Sequence, residues 1–331
     1  MIVFYLNYWA ALDEAVTKLR WYDEVAQCIA TLLTTHGEGT CMKYVAPTTV
    51  EEARSLLAQD PDSRVFAGAT DLIPQMRSGR SAPAVMVDLK RIDRLVAIDN
   101  DEQKWTIGAA APTSSITDNS ELSAMFPGLS EAAGLIGSDQ IQNRSSLGGN
   151  LCNASPAADS VPAMIVNDVQ AVVASSEGTR TVPVSEVTTG PGQTSLAPGE
   201  FVIEFTVDKV ASGTSDAYLR MIPRTEMDIA VVGAAVRLTV TDNKISDARV
   251  ALGAVAPTAV SVPDAAEALN GTELDGDTIP SDVLDAVAAA ATAACNPIDD
   301  MRGTIDYRRR VAGVLAKRAA VIALNRARNG A

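Results

Sequence analysis

Histidine is nearly absent from this chain: His36, read as a solvent-exposed residue, is the only one in 331 residues. That excludes multi-histidine metal sites and leaves no histidine base for the matched core of the sequence. The four cysteines, Cys28, Cys41, Cys152 and Cys295, are scattered with no C-x-x-C pair. Neither a zinc site nor a four-cysteine cluster motif is therefore expected, and reduced thiols in a cytoplasmic setting are the simplest reading. Basic residues are outnumbered, 27 against 41 acidic ones, giving a formal charge of −14 that disfavours a nucleic-acid surface. Aromatics make up only 4% of the chain, yet Phe4, Tyr5, Tyr8, Trp9, Trp21 and Tyr22 crowd its first residues. Asp13, Glu14, Lys18 and Arg20 interrupt that segment, so no membrane span of about 20 apolar residues is available. No basic stretch precedes Ile2–Leu6, which argues against a signal peptide. Neither G-x-G-x-x-G nor G-x-x-x-x-G-K-[ST] occurs. Catalysis by this chain would have to be carried by a bound cofactor.

The most informative stretch is IGSDQIQNRSSLGGNLCNASPAADSVP, from Ile136 to Pro162. Consecutive glycines, Gly148 and Gly149, allow positive φ and close approach of backbone N–H groups to an anion. Ser146 and Asn150 add side-chain donors, with Ser155 as a further candidate, and Asp159 supplies an acceptor for hydroxyls. This polar set suits a diphosphate with sugar-like arms, that is, a dinucleotide. A tight turn between strands is the bland alternative for the glycine pair alone. A second loop, VFAGATDL, runs from Val65 to Leu72 as a strand, a break at Gly68 and a polar Thr70-Asp71 pair before the helix-like LIPQMR. Such a strand–turn–helix presents N–H groups to phosphate oxygens. Asp71 can equally be the N-cap of that helix. Two separated glycine loops must converge on one ligand.

These two loops closely resemble the flavin-binding loops of the medium, FAD-carrying subunit of molybdenum hydroxylases, the family of carbon monoxide dehydrogenase and bacterial xanthine dehydrogenase-type enzymes. Further matches follow in order at TGPGQTSLAPGE (189–200), YLRMIPRTEMDIAVVGAAV (218–236), ALGAVAPTAV (251–260) and NPIDDMRGTIDYRRRVAGVL (296–315), so the resemblance covers about residues 42–328. It implies FAD contacts at Val65, Phe66, Ala67, Gly68, Ala69, Thr70, Asp71 and Leu72, and at Ser146, Leu147, Gly148, Gly149 and Asn150. Ile136, Asp159, Val202 and Arg220 match isolated contact positions. Ala69 stands where a second glycine is common, so the loop must tolerate a Cβ there or take negative φ. Arg220 replaces a common lysine, keeping the charge and changing the hydrogen-bond geometry. No catalytic side chain and no metal ligand is implied. The resemblance places the molybdenum cofactor and [2Fe-2S] clusters on partner subunits, a large and a small one, in a dimer of heterotrimers with an FAD relay on this chain. A self-contained flavin oxidase and a flavin-free assembly subunit are the alternatives.

The implied fold class is α+β: a two-lobed PCMH-type FAD-binding domain over 42–215, then an antiparallel sheet with helices over 216–328. Residues 1–41 form an extension, and Met42 is a candidate start. Along the chain, Thr48–Leu57 reads as a helix capped by Thr48 or Thr49, with Glu51 and Glu52 in its first turn. Ala84–Asp88, Trp105–Ala109, Ala163–Ala174 and Phe201–Val207 read as strands, and Ser130–Leu135 as a helix. Ile229–Val240 and Lys244–Val255 pair across the turn Thr241-Asp242-Asn243. Ser281–Ala294 and Ile305–Arg328 read as helices, the latter with Val311, Val314, Leu315, Val321 and Ile322 on a core face. Arg308, Arg309, Arg310, Lys317 and Arg318 read as a solvated basic face. The glycine-rich 189–200 segment is expected as an exposed loop near the flavin edge.

Overall fold

The computed structural model describes residues 42–224 and 226–329; the aromatic extension and His36 lie outside the described residues. Three sheets organise the chain. The first is a small parallel sheet of β1 (Lys43–Val45), β2 (Arg64–Phe66) and β3 (Val85–Asp88), in the order β1-β3-β2. Helix Val50–Gln59 links β1 to β2 as the parallel connection requires. Its start follows from sequence chemistry: the Thr49 hydroxyl accepts the Glu52 N–H at 3.1 Å, and the Glu52 carboxylate accepts the Thr48 N–H at 2.9 Å. This resembles a capping box, except that Glu52 reaches the N–H of Thr48, one residue before the Thr49 N-cap.

The second sheet is antiparallel: β4 (Ile98–Asn100), β5 (Lys104–Gly108), β6 (Gln170–Ser175), β7 (Gly178–Pro183) and β10 (Phe201–Asp208), ordered β4-β5-β10-β6-β7. Its central strand is almost wholly buried, because one face meets the first lobe through Phe201 and Ile203 and the other meets the helices of residues 113–166 through Val202 and Phe205. A two-stranded hairpin, β8 (Thr188–Gly190) with β9 (Gln193–Thr194), precedes β10. The run 163–174, expected as one strand, is instead the end of helix Ser160–Val166 and then β6. Between them Asp168 turns the chain at φ +54°. The apolar stretches on either side of Asn167-Asp168 are too short to show a period of their own, so the polar pair is the mark that separates the two elements.

The C-terminal sheet is β11 (Thr214–Met221), β12 (Val232–Thr241), β13 (Lys244–Gly253) and β14 (Val260–Ser261), antiparallel in that order. The β12–β13 hairpin turns at Asp242 and Asn243, both at positive φ, as expected for a type I′-like connection. Helices Pro263–Leu269 and Ile305–Asn329 pack on this sheet, and helix Ser281–Ala293 packs against those two helices. Of the expected core face of the last helix, Leu315 is buried and Val311 and Ile322 pack partly against the core, while Val314 and Val321 face solvent; Ala312, Ala316, Ala319, Ala320, Ala323 and Leu324 complete the buried stripe. Small side chains let the helix axis approach the sheet closely, which a row of valines would prevent. Arg308, expected on the solvated face, is buried at 4% exposure and donates to the carbonyl of Val231 at 2.6 Å and to Asp300 at 2.7 Å. Among the described residues no helix is long and apolar enough to cross a membrane.

Strand β11 joins the two halves of the molecule through a single face. Alternate residues of a strand share a side, and here Asp216, Tyr218 and Arg220 all reach the N-terminal half. Asp216 accepts the N–H groups of Gly128 (2.9 Å) and Leu129 (3.1 Å), at the start of helix Pro127–Gly134, and the Asn167 amide at 2.7 Å. Tyr218 and Arg220 both donate to Asp159.

Candidate functional site

The two glycine loops meet. Gly68 lies so close to the second loop that a Cβ there would sit 2.6 Å from the carbonyl carbon of Arg144 and 3.0 Å from the Ser145 nitrogen. Only glycine permits that backbone approach. Beside the contact opens a cleft of about 690 Å³, within the roughly 300–1,000 Å³ typical of ligand sites. Val65, Phe66, Ala67, Gly68, Ala69, Thr70, Asp71 and Leu72 line one wall, and Ile136, Ser146, Gly149 and Asn150 the other. Thr194 and Leu196 to Glu200 close one side of the cleft; the 189–200 segment, expected as an exposed loop, begins as the β8–β9 hairpin before it reaches this wall.

Each wall is set by local chemistry. The first loop leaves β2 at Phe66 and enters helix Leu72–Arg77. Ala69 adopts the left-handed region at φ +57°, so it keeps the glycine-like conformation and carries its Cβ as strain. Asp71 occupies the N-cap position in a helical conformation, and its side chain makes no capping bond. The carboxylate is thus left to the cleft, where desolvation holds its pKa above the usual aspartate value.

The second wall is the start of helix Leu147–Cys152. Ser146 is its N-cap and accepts the Gly149 N–H at 3.1 Å. The glycine pair therefore works differently from the expectation: both residues are helical, and neither has positive φ. Gly148 donates its N–H to the Ala109 carbonyl at 3.0 Å and packs there with no room for a Cβ. Gly149 faces the cleft, and a Cβ on it would meet only the Ser146 hydroxyl, at 3.3 Å. One glycine docks the helix and the other keeps the cleft floor flat. Asn150 is held by its Oδ1, which accepts from the Ser160 hydroxyl at 2.7 Å and the Ser160 N–H at 3.3 Å. Its amide N–H groups point away from that contact. Ser155 turns inward, its hydroxyl accepting the Ala157 N–H.

Leu147, Gly148, Asp159, Val202 and Arg220 do not line this cleft. Leu147 and Val202 are core residues. Asp159 and Arg220 form a buried ion pair at 2.8 Å, with the Tyr218 hydroxyl on the other carboxylate oxygen at 2.8 Å. Desolvation pushes the Asp159 pKa up, against the lowering effect of Arg220 and Tyr218. The pair is joined to the cleft through Ser160, the neighbour of Asp159 that holds Asn150.

The structure adds cleft residues not singled out from the sequence, among them Gln75, Arg80 and Asn153. Arg80 bonds to Gln75, whose amide donates to Asn153 at 2.8 Å across the two walls. Asn153 belongs to the polar run after the glycine pair, which was a usable signal. Gln75 and Arg80 carried none. Cys152 also lines the cleft, but burial pushes its thiol up to about 12, so it remains an unreactive small side chain. No cluster of potential metal ligands occurs among the described residues.

The residues fit a dinucleotide such as FAD: a flat glycine floor, amide and hydroxyl donors on one wall, and a carboxylate with no capping bond on the other. Comparisons with known proteins agree. Residues 40–208 match the family described as FAD binding domain in molybdopterin dehydrogenase, and residues 217–322 match the CO dehydrogenase flavoprotein C-terminal domain. The carbon monoxide dehydrogenase medium chain of Hydrogenophaga pseudoflava is 33% identical over 278 residues, 84% of this chain and 95% of that one. The xanthine dehydrogenase FAD-binding subunit of Escherichia coli O157:H7 is 27% identical, over 83% of this chain and 93% of its own length. A solved structure of carbon monoxide dehydrogenase from H. pseudoflava superposes with a TM-score of 0.81 at 33% identity, covering 86% of this chain and 98% of that chain. That fold, the two family matches and the converging loops lead to one assignment: the chain belongs to the FAD-binding medium subunits of the molybdenum hydroxylases.

Proposed function

We propose that this chain is the FAD-carrying relay of a cytoplasmic molybdenum hydroxylase, receiving electrons from a small [2Fe-2S] subunit and passing them to an external acceptor. The observation that carries the reading is the backbone contact of Gly68 with Arg144–Ser145, which folds both glycine loops onto one cleft. We take 42–215 as the FAD-binding domain and 216–328 as the C-terminal domain, with the molybdenum cofactor on a large partner subunit and heterotrimers as the assembly unit. FAD, when bound, accepts electrons singly or in pairs and so links one-electron and two-electron partners.

The work of this chain is then binding and orientation. The Gly149 floor admits the diphosphate, Ser146 and Asn150 flank it, and Asp71 accepts hydroxyls of a sugar arm. Val65 to Thr70, with Leu72 and Ile136, supply the apolar and backbone walls. Leu147 and Gly148 act from behind, seating the helix that presents Gly149. Val202 supports the floor from the core. Arg220, with Asp159, supplies a fixed charge beyond Asn150. The titratable side chains on the described cleft walls are Asp62, Arg64, Asp71, Arg80, Cys152 and Glu200. Glu200 is held by Arg180, which lowers its pKa, and Arg80 by Gln75. None is arranged as a nucleophile–base pair, which supports a relay over a self-contained oxidase.

The test is spectroscopic. The purified chain should be yellow and release FAD on denaturation. Its flavin should stay oxidised when aldehydes, heterocycles or carbon monoxide are added, and become reduced once iron–sulfur and molybdenum subunits are supplied. Rapid substrate-driven bleaching of the isolated chain in stopped flow would overturn the relay.

A further inference from the structure

The two walls of the cleft are anchored unequally. Helix Leu147–Cys152 buries Leu147, Gly148 and Leu151, so Gly149 stands on a fixed support. Helix Leu72–Arg77, on the other wall, has no fully buried residue. Leu72 and Met76 lean only partly against the small cluster of Met42, Phe66 and Met86. An element with so little buried apolar surface opens locally at low cost. The chain entering it is pinned where Gly68 packs on Arg144 and Ser145, but that contact lies before the helix begins.

A side-chain bond joins the two helices farther along. Gln75 Nε2 donates to Asn153 Oδ1 at 2.8 Å, and both residues line the cleft. Gln75 lies four residues after Asp71, whose carbonyl accepts the Gln75 N–H at 3.0 Å. Asn153 lies four residues after Gly149, whose carbonyl accepts the Asn153 N–H at 2.9 Å. Residues four apart on a helix share a face. The bond therefore spans the cleft one turn, about 5.4 Å, beyond Asp71 on one wall and Gly149 on the other. It fixes the separation of the walls beside the residues that face the ligand.

Arg80 sets the direction of this bond. Its guanidinium donates to Gln75 Oε1, which leaves Nε2 to face Asn153. Gly79, at φ +100°, turns the chain back after the helix, and the Arg80 N–H then donates to the Gln75 carbonyl at 3.1 Å. A cationic donor on the amide oxygen also polarises the amide and strengthens its N–H as a donor. A row of three polar side chains thus ties the lightly anchored helix to the fixed wall.

We propose that Arg80, Gln75 and Asn153 form a latch that holds helix Leu72–Arg77 closed on bound FAD and sets how slowly the cofactor leaves. This rests on the FAD cleft assigned above and not on the relay. Gln75 and Asn153 act in it as positioning residues, through the spacing of the walls. The full chain, Gln75→Leu, Asn153→Ala and the double variant are each prepared without flavin and loaded with FAD. Uptake is followed by quenching of FAD fluorescence, and release by the flavin still bound after timed intervals in flavin-free buffer. One net hydrogen bond corresponds to roughly a three- to tenfold change, so each single variant releases FAD faster by that factor, with uptake no slower than wild type. The double variant releases FAD no faster than the quicker single one, because both changes remove the same bond. In the flavin-free variants, amides of residues 72–79 exchange with deuterium faster, while those of 147–152 keep their protection. Side chains that merely touched FAD separately would multiply their effects and leave exchange in the flavin-free chain unchanged. That result, or wild-type release in Gln75→Leu, overturns the latch and leaves the cleft standing. Wild-type chain that takes up no FAD overturns the cleft assignment and the latch with it.

Discussion

Replacing Gly148 and Gly149 one at a time by alanine separates packing from cofactor binding, although the two are adjacent in the chain. A methyl on Gly148 would stand 2.9 Å from the Ala109 Cβ and against the Ala109 carbonyl, which already accepts the Gly148 N–H at 3.0 Å. Carbon atoms rest at about 3.5–4.0 Å, so helix Leu147–Cys152 must lift off the end of β5. Overpacking of this kind costs about 1–3 kcal/mol, a fall of several degrees in melting temperature. A methyl on Gly149 meets only the flexible end of Ser146 at 3.3 Å. That squeeze is offset by a helix-propensity gain of up to about 1 kcal/mol. Flavin-free Gly149→Ala should therefore melt at or slightly above the wild-type temperature. The same methyl raises the cleft floor where the diphosphate must approach, and FAD affinity should fall at least tenfold, about 1.4 kcal/mol. Thermal melts of the flavin-free proteins and titration with FAD, followed by quenching of its fluorescence, measure both quantities. Wild-type FAD affinity in Gly149→Ala would refute the floor assignment, and an unshifted melt in Gly148→Ala would refute the packing argument.

Two further outcomes follow from the strained and buried groups. Ala69→Gly should stabilise the chain by something under about 1 kcal/mol, the left-handed strain relieved less the extra entropy of an unfolded glycine, with FAD retained; a lower melting temperature would show that the Ala69 methyl packs usefully against Phe66 and Met86. Burial pushes the Asp216 carboxyl up to about 6. The folded chain thus holds this proton more tightly than the unfolded chain does. The resulting stability is complete below the ordinary aspartate range and is lost as pH rises through 6, an effect of up to about 3 kcal/mol. Melting temperatures between pH 4 and 7 should show this slope in wild type and lose it in Asp216→Asn; an identical slope in the variant would mean that other groups set it.

Much of the architecture was legible because it rests on neighbours in the chain. Thr49 and Glu52 announce a helix start by their spacing, Asp242-Asn243 announces a hairpin, and Gly68 and Gly149 mark the two walls of a cleft. The segment 163–174 was misleading because both its apolar parts are buried, and the polar Asn167-Asp168 between them, where helix ends and the chain turns into a strand, was read through as part of one element. The last helix was misleading in a related way. Its valines recur at helical spacing, yet Val314 and Val321 point outward and the buried stripe is mostly alanine with Leu315 and Leu324, because the spacing of a stripe does not say which stripe is pressed inward.

What the sequence by itself determined is the inventory and the family: two glycine loops, no histidine or cysteine constellation for independent chemistry, and motifs ordered as in the FAD-binding medium subunits. Tertiary structure alone decided which glycine touches what. Gly148 and Gly149 are indistinguishable as letters, and only the position of Ala109 on one side and open cleft on the other gives them separate tasks. It also decided that Asp159 spends both oxygens on Tyr218 and Arg220, and that Arg308 is buried against the Val231 and Ala254 carbonyls. Each of these depends on a partner far away in the chain. Local spacing constrains dihedral angles and faces, while contacts between distant residues are set only when whole elements pack.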